Sequence, residues 1–436
     1  MQKKVRAGKT DLAFGAVFLP LILIFQYGVL AIAPAAQAAF WNEGIWGTTA
    51  SSYLLAFLII LIASVSFYVG FLGSPGPKIS YKSNEGTAPT QERMLWGFFI
   101  TVLLIDLLIR LDQIQSGTYF SWMRAILVKQ GEELGPLAMI QESLYSIVLV
   151  LSVYFSKNSR FAYYYIFAIL IFVFLAGERN SLVLSVVALY FALWQTGGIS
   201  RRIIRRELLL LLPAIYLAMQ VIIQARVILR FDPASALAAP VDFLLNAFFQ
   251  AIVISIGLQD GDIYSRASLS GAGLVERTAA WSYCFAYQVQ QIFRGYDFFP
   301  LSDAFLEFSR SIPSALWPGQ KPLVLSGANL VHQFDMPIRR DPATTVFSSA
   351  FLHFGFFGLL IFSYFIGVSY RFFLAWSLKI YGAAGRVLFL GFISFFSVMG
   401  NSFSASFANI RNLLIVLAVG YVAGFLIKCI KPMKLA

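Results

Sequence analysis

Charged side chains are scarce in this chain of 436 residues. Asp, Glu, Lys and Arg together make up 12% of it, whereas hydrophobic residues make up 59% and the mean hydropathy is +0.75. A soluble domain typically contains about 25% charged residues. The shortage therefore excludes the soluble globular class and predicts an all-α polytopic membrane protein.

Cysteine and histidine are nearly absent as well. The chain has two cysteines, Cys284 and Cys429, which are too few for a disulfide framework. Its two histidines are His332 and His353. Any histidine chemistry therefore falls on one of these two, and His353, inside an apolar segment, is more typical of a packing residue.

Long apolar runs are what the chain has in abundance. A bilayer core of about 30 Å requires about 20 mostly apolar residues per helix. Eleven or twelve helices are the alternative totals. Val241–Leu258 is the candidate eleventh span, but accepting it alone would invert the sidedness downstream, so we predict a buried or interfacial helix there. The ten predicted spans are 12–33, 51–72, 94–112, 140–156, 161–176, 181–196, 207–225, 345–370, 387–400 and 409–428.

Lysine and arginine collect in alternate loops, which indicates the cytoplasmic side. No Lys or Arg occurs between Pro34 and Ala50, in the first outer loop. The net charge of +12 is therefore mainly a topology signal, and we expect no nucleic-acid partner. The run Leu12–Ala33 is longer than the about 7–15 residues of a signal-peptide core, so we expect the first helix to be retained and both termini to be cytoplasmic.

Three regions follow from this pattern: a first transmembrane bundle over residues 1–225, a large outer loop over 226–344, and C-terminal transmembrane helices over 345–436. The loop is balanced in charge, with nine Lys or Arg against ten Asp or Glu between Arg226 and Ala343. This balance excludes a simple basic binding surface. Its tryptophans and tyrosines are typical of headgroup-level residues, so we expect the loop to lie on the membrane surface with interfacial helices.

Arginines cluster at both ends of the loop. Arg226 and Arg230 follow the seventh predicted helix, and Arg339 and Arg340 precede the eighth, in the run His332–Asp341. Because a guanidinium group matches phosphate oxygens in a bidentate manner, converging arginines suggest a clamp for a phosphate-bearing ligand. The alternative is that they are interfacial anchors or form ion pairs. The acidic partners for such pairs are Asp232, Asp335 and Asp341.

A short outer turn between the fifth and sixth predicted helices carries Glu178 and Arg179. Ionisable residues at this depth are costly and by default indicate a functional site. The alternative is a mutual Glu178–Arg179 pair that caps a helical hairpin.

The layout resembles the O-antigen polymerases, which are similar in turn to the O-antigen ligases. The resemblance is carried by the helix number, by the turn Gly177–Ser181, by the large outer loop and by the run Thr345–Gly358, which contains His353 and Gly355. It implies a fold similar to the lipid-linked glycosyltransferases of the GT-C type. It also implies a bacterial inner-membrane enzyme of lipopolysaccharide biosynthesis with its active site facing the periplasm.

The resemblance implies that a growing glycan on undecaprenyl diphosphate is transferred to a second lipid-linked repeat unit. The leaving diphosphate needs fixed cations, and the acceptor hydroxyl needs a base or an orienting partner. The implied partners are the lipid-linked oligosaccharide, membrane lipid, a flippase and a chain-length regulator, and neither cofactor nor metal is expected. The candidate catalytic residues are His332, Arg179 and Glu178, and the candidate substrate-binding residues are Arg339, Arg340, Arg226, Arg230, Arg411 and Asp335.

Other functions remain open alternatives. The triplet Asp260-Gly-Asp262 imitates a divalent-cation motif of nucleotide-sugar transferases. A transporter or lipid-linked oligosaccharide flippase would also have many helices, although the sequence shows neither internal repeats nor obvious Gly/Pro-broken helices. An O-antigen ligase would use the same donor with another acceptor.

Overall fold

The computed structural model describes residues 49–73, 89–115, 136–156, 159–175, 240–255, 285–312, 346–382 and 403–429, with single residues at 186, 189, 217, 218, 221, 222, 224, 385, 388 and 389. Of these residues, 94% are helical. The predicted all-α class of membrane protein is therefore confirmed for the part of the chain that is described.

Eight named helices form this part of the molecule. α1, α2, α3, α4, α7 and α8 overlap predicted spans, whereas the predicted spans 12–33, 181–196, 207–225 and 387–400 lie largely outside the described residues. A further helical segment covers residues 285–293. The helices are α1 Ala50–Gly73, α2 Pro89–Gln115, α3 Pro136–Phe155, α4 Arg160–Leu175, α5 Pro240–Ser255, α6 Leu301–Ser311, α7 Val346–Tyr381 and α8 Phe403–Cys429.

Membrane-spanning length and composition are met by four helical stretches among the described residues: Ser51–Gly73, Pro89–Gln115, Val346–Tyr381 and Ile410–Ile427. Helix α4 is a shorter apolar helix. The chain is thus membrane-embedded, and the total of about ten spans stays a prediction.

Apolar side chains point outward along the long helices. In α1, for example, Leu54, Leu58, Ile62, Val65 and Val69 are all exposed, with spacings of three or four residues that place them on one helical face. In water such a stripe would be unfavourable, whereas in hydrocarbon it is the expected lipid-facing surface.

The chain divides into two compact units. The described part of the first contains α1, the segment 285–293, α6, α7 and residues 403–414 of α8. The second contains α2 to α5 and residues 415–429 of α8. Each unit therefore joins helices from before and after the centre of the chain, and the three-region division predicted from sequence stays a prediction.

In the first unit, α1 packs lengthwise against α7. Glycines allow the two backbones to approach closely, because a methyl group at Gly70 would overlap the carbonyl of Tyr364, and one at Gly367 would overlap the carbonyl of Phe67. The Ser66 hydroxyl donates a hydrogen bond to the Leu360 carbonyl at 2.7 Å. Small residues at a helix crossing are the usual means of association in a membrane, where lipid tails are as apolar as the side chains.

Helix α7 is broken at Gly355, which has φ 67° and ψ −169°. The backbone amide of Phe299 donates a hydrogen bond of 3.0 Å to the Leu352 carbonyl, next to the break. This bond holds the residues just before α6 against α7. No broken helix was predicted from the sequence, and the structure corrects this. Gly355 adopts a positive φ that is not helical, which glycine tolerates because it has no Cβ.

In the second unit, α3 packs against both α2 and α4. The rings of Trp96 on α2 and Phe155 on α3 are 4.4 Å apart between centroids. Helix α5 covers residues 241–255 of the segment Val241–Leu258 and buries Ala247 and Ala251. Its 16 residues rise about 24 Å, less than the hydrocarbon core, and its interfacial or buried placement stays a prediction.

Candidate functional site

A charged pair lies within the apolar helix α2. Asp106 is 0% exposed and Arg110 is 2% exposed. One helical turn separates them, so both side chains project from the same face of α2. The Arg110 Nε donates to Asp106 Oδ2 at 2.8 Å and forms a salt bridge. Burying two charges costs several kcal/mol per ion, so the pair is an unusual feature of a lipid-embedded bundle.

Neighbouring helices supply aromatic groups around this pair. Tyr165 on α4 donates its hydroxyl to the same Asp106 Oδ2 at 2.7 Å. The guanidinium carbon of Arg110 lies 4.9 Å from the ring centroid of Tyr145 on α3 and 4.8 Å from that of Phe172 on α4. These cation–π contacts help to replace the water that the guanidinium loses on burial.

Hydrogen-bonding capacity remains in the pair. Arg110 Nη1, Arg110 Nη2 and Asp106 Oδ1 are buried, and none of them has a hydrogen-bond partner within the described structure. A buried guanidinium normally satisfies most of its five N–H groups. The two terminal nitrogens present the paired donors that bind carboxylate or phosphate oxygens. The cluster Asp106–Arg110–Tyr165, called the buried ion pair below, is therefore a candidate anion site.

A second polar group lies in the first unit, on the segment 285–293. Gln290 Oε1 accepts hydrogen bonds from the Thr49 amide at 3.0 Å and from the Ser52 hydroxyl at 2.9 Å. Gln288 is 0% exposed, and both of its side-chain polar atoms lack a hydrogen-bond partner among the residues described. The Gln290 contacts tie the segment to the start of α1, which is a structural role.

His353 lies on α7, two residues before the break, and is buried. Its ring centroid is 5.5 Å from that of Phe299 in an edge-on arrangement and 6.1 Å from that of Phe354. These contacts agree with the packing role expected for this histidine.

Arg411 belongs to the predicted substrate-binding set and lies within the described residues, on α8. It is partly buried, and its Nε and Nη2 donate to Asn412 Oδ1 at 3.0 and 2.8 Å. Its guanidinium thus engages a neighbouring amide. The remaining predicted residues fall outside the described part of the chain: His332, Arg179, Glu178, Arg339, Arg340, Arg226, Arg230 and Asp335, together with Asp260 and Asp262 of the metal alternative.

The sequence reasoning missed Asp106 and Arg110. The signal was present, since the two ionisable residues stand four positions apart inside the predicted span 94–112, and ionisable residues within a membrane helix indicate a functional site. Tyr165 had no such signal, because only the packing of α4 against α2 and α3 brings it to Asp106.

Comparison with known proteins does not identify the function of this cluster. No protein-family model, curated protein or solved structure matches the chain.

Proposed function

We propose that this membrane protein is a metal-independent glycosyltransferase that polymerises lipid-linked repeat units. A growing glycan moves from undecaprenyl diphosphate to a repeat unit on a second lipid carrier, at the outer face of the bacterial inner membrane. The observation that supports the proposal is Arg110, a buried guanidinium whose two terminal nitrogens are free of hydrogen bonds among the described residues. A leaving diphosphate requires a fixed cation of this kind.

The depth of Arg110 fits the proposed side of the membrane. Arg93 lies near the start of α2, next to a loop that carries Lys78 and Lys82 and is expected to be cytoplasmic, so α2 is expected to run outward. Arg110 stands five residues before the end of α2 at Gln115, which corresponds to about 8 Å of helix rise. With this sidedness the guanidinium belongs to the outer part of the bundle, where the diphosphate of an outward-facing lipid would lie.

The proposed reaction is a displacement at the anomeric carbon of the donor glycan. The acceptor hydroxyl oxygen forms the new bond, its proton passes to a base, and the bond to the diphosphate oxygen breaks. His332 is the first candidate for the base, with Glu178 and Asp335 as alternatives. Arg179, Arg339 and Arg340 stabilise the leaving diphosphate, with Arg226, Arg230 and Arg411 as further candidates.

Arg110 is a further proposed cation for the diphosphate, and Asp106 holds its Nε. Because Arg110 has almost no exposed surface, a diphosphate reaches it only when the side chains around it move apart. A cation held in a low-dielectric interior interacts more strongly with an anion than one in water. Arg110 therefore contributes most at the point where charge develops on the leaving group.

The test is a reaction of purified protein with lipid-linked repeat units, resolved as a glycan ladder. A ladder from the unaltered chain is expected, and its absence with every available repeat unit would exclude the polymerase. The double variant Asp106→Leu with Arg110→Met removes the charges and keeps a similar side-chain volume. We expect it to fold and to lose the ladder, and an unchanged ladder would remove Arg110 from the mechanism.

The predicted loop residues are tested in the same assay. His332→Ala is expected to abolish polymer at normal protein levels, and wild-type chain lengths would exclude His332 as the base. Arg179→Ala is expected to lose activity and Arg179→Lys to recover little of it, because a point charge does not make a bidentate contact. Full activity of the Lys variant would contradict the proposed bidentate contact of Arg179 with the diphosphate.

A transporter or lipid-linked oligosaccharide flippase is the second candidate, and the break of α7 at Gly355 favours it. Broken helices frequently form the substrate site of secondary transporters. Movement of lipid-linked oligosaccharide across reconstituted vesicles without any glycan ladder would support this candidate. An O-antigen ligase is distinguished from a polymerase by its acceptor, because a ligase would transfer the glycan to lipid A core.

A further inference from the structure

The helical segment 285–293 is covered by protein on every side over most of its length. All seven residues from Phe285 to Gln291 are buried. Three of them are glutamines, because Gln288, Gln290 and Gln291 are 0%, 6% and 5% exposed. Buried polar groups in a folded protein are nearly always hydrogen-bonded. The partners of these amides therefore show what the segment does.

Gln290 and Gln288 differ in their hydrogen bonding. Gln290 Oε1 accepts a bond from the Thr49 amide and one from the Ser52 hydroxyl, both at the start of α1. Neither Oε1 nor Nε2 of Gln288 is bonded to any residue that the structure describes. Burying an amide in this state is costly. Gln288 therefore keeps a donor and an acceptor available inside the protein.

Gln288 lies on the side of the segment that meets α7. Phe285, which precedes it by one helical turn, shares this side. The ring centroid of Phe285 is 5.5 Å from that of Phe351 on α7, in an edge-on arrangement. The part of α7 at this contact, Val346 to His353, is itself buried throughout and ends just before the break at Gly355. Gln288 thus stands next to a stretch of α7 that does not face lipid.

The polar groups of this region are uncharged, in contrast to the buried ion pair of the second unit. Residues 285–291 and 346–353 contain no Asp, Glu, Lys or Arg. A neutral amide does not offset the charge of a phosphate group, which costs much to bury without a partner cation. Hydroxyl groups, by comparison, both donate and accept without carrying charge. The region therefore favours a neutral ligand that is rich in hydroxyl groups.

We infer that Gln288 binds two neighbouring hydroxyl groups of a sugar in the glycan. One hydroxyl accepts a hydrogen bond from Nε2 and the next donates one to Oε1, which satisfies both atoms of the amide. Phe285 and Phe351 supply the apolar surface that accompanies the few polar groups of a ligand site. The identity of the ligand rests on the proposed function, and lipid-linked oligosaccharide is also the ligand of the flippase candidate.

A sugar reaches Gln288 only when the enclosing segments separate, because the side chain has no exposed surface. The break at Gly355 divides the enclosed part of α7 from its lipid-facing part. A few residues at such a break can absorb the backbone rotation of a hinge. The first part of α7 can therefore move without distorting the second.

The experiment compares two matched variants of the full chain in phosphatidylcholine nanodiscs, Gln288→Met and Gln290→Met. Methionine has an unbranched side chain of similar length and lacks the amide donor and acceptor. The probe is the oligosaccharide repeat unit released from its lipid carrier, and its binding is measured by saturation-transfer NMR. Folding is measured as the midpoint of thermal unfolding.

We expect the unaltered chain to bind the oligosaccharide and Gln288→Met to bind it at least about tenfold more weakly, because two hydrogen bonds are lost. The unfolding midpoint of Gln288→Met should equal or exceed that of the unaltered chain, since no hydrogen bond of the described structure is lost. Gln290→Met should unfold at a lower temperature, because its bonds to α1 are removed.

Three results would each overturn the inference. The first is equal affinity of Gln288→Met and the unaltered chain, as expected if water alone satisfies the amide. The second is no binding by the unaltered chain. The third is an unfolding midpoint of Gln288→Met as low as that of Gln290→Met, which would make Gln288 a structural residue.

The glycan ladder tests the proposed function separately. No ladder, together with glycan binding that depends on Gln288, would exclude the polymerase and keep the sugar site, as in a flippase. A ladder, together with glycan binding that does not depend on Gln288, would overturn the sugar site alone.

Discussion

The α1–α7 pair and the α2–α3–α4 group associate by opposite means. The first brings two backbones together at Gly70 and Gly367 and leaves no room for a side chain at the crossing. The second places a buried Asp106–Arg110 pair, with Tyr165, on the facing sides of its helices. Close packing alone can hold helices together in a bilayer. The costly charges of the second group are therefore not needed for association, which argues for a functional reason to keep them.

The largest expected effect comes from removing one member of the buried ion pair. Asp106→Ala leaves the guanidinium of Arg110 buried without its carboxylate. We expect the free energy of unfolding to fall by about 3–5 kcal/mol, measured by reversible unfolding in mixed micelles. A loss below that of Gly70→Ala would contradict the view that this pair is closely coupled to the fold.

A smaller loss is expected for Tyr165→Phe. The change removes the 2.7 Å hydrogen bond to Asp106 Oδ2 and keeps the ring. A hydrogen bond to a charged group contributes about 1.5–3 kcal/mol, and the same unfolding measurement applies. Combining it with Asp106→Ala should give less than the sum of the two losses, because both variants remove the same contact. If the two losses of unfolding free energy added fully, the Tyr165 hydroxyl would stabilise the protein through a contact other than Asp106.

Gly70→Ala tests the closely packed region. Its methyl group meets the Tyr364 backbone, which cannot rotate away. Overpacking of this kind costs about 1–3 kcal/mol, reduced by up to about 1 kcal/mol because alanine favours a helix. The matched control is Gly73→Ala on the same helix, where the new methyl group meets no atom within 4 Å beyond its chain neighbours and the backbone of its own helix. Equal stabilities of the two variants would contradict the close approach.

The smallest loss of stability is expected for the double variant Asp106→Leu with Arg110→Met. Replacing a buried ion pair by apolar side chains of similar volume is often neutral or stabilising, by about 1–4 kcal/mol. We expect an unfolding free energy at or above that of the unaltered protein, with loss of activity. A marked destabilisation would show that the buried ion pair stabilises the fold, and it would contradict the view that the charges are kept for function.

The sequence predicted the class of fold well because lipid imposes one rule on every span. An apolar run long enough to cross the core must be helical, and α1, α2 and α8 follow the predicted spans closely. The break in α7 was not predictable, because Gly355 stands among other glycines of an apolar run and only the docking of Phe299 distinguishes it.

The candidate site was less predictable than the fold. Asp106 and Arg110 are visible as charges in a span, but their burial depends on which face of α2 meets α3 and α4. Arg411 was predicted as a diphosphate contact; the structure shows its Nε and Nη2 bonded to Asn412, and the diphosphate contact stays a prediction.

The burial of Val346–His353 has a consequence for biogenesis. These residues include Ser348, Ser349 and His353, which are poorly suited to lipid, and all eight are covered by protein. Helix α1 and the segment 285–293 precede α7 in the chain, so both are synthesised before α7 leaves the translocon. We therefore expect the amino-terminal end of α7 to fold onto helices already made, and the order of synthesis to match the order of assembly.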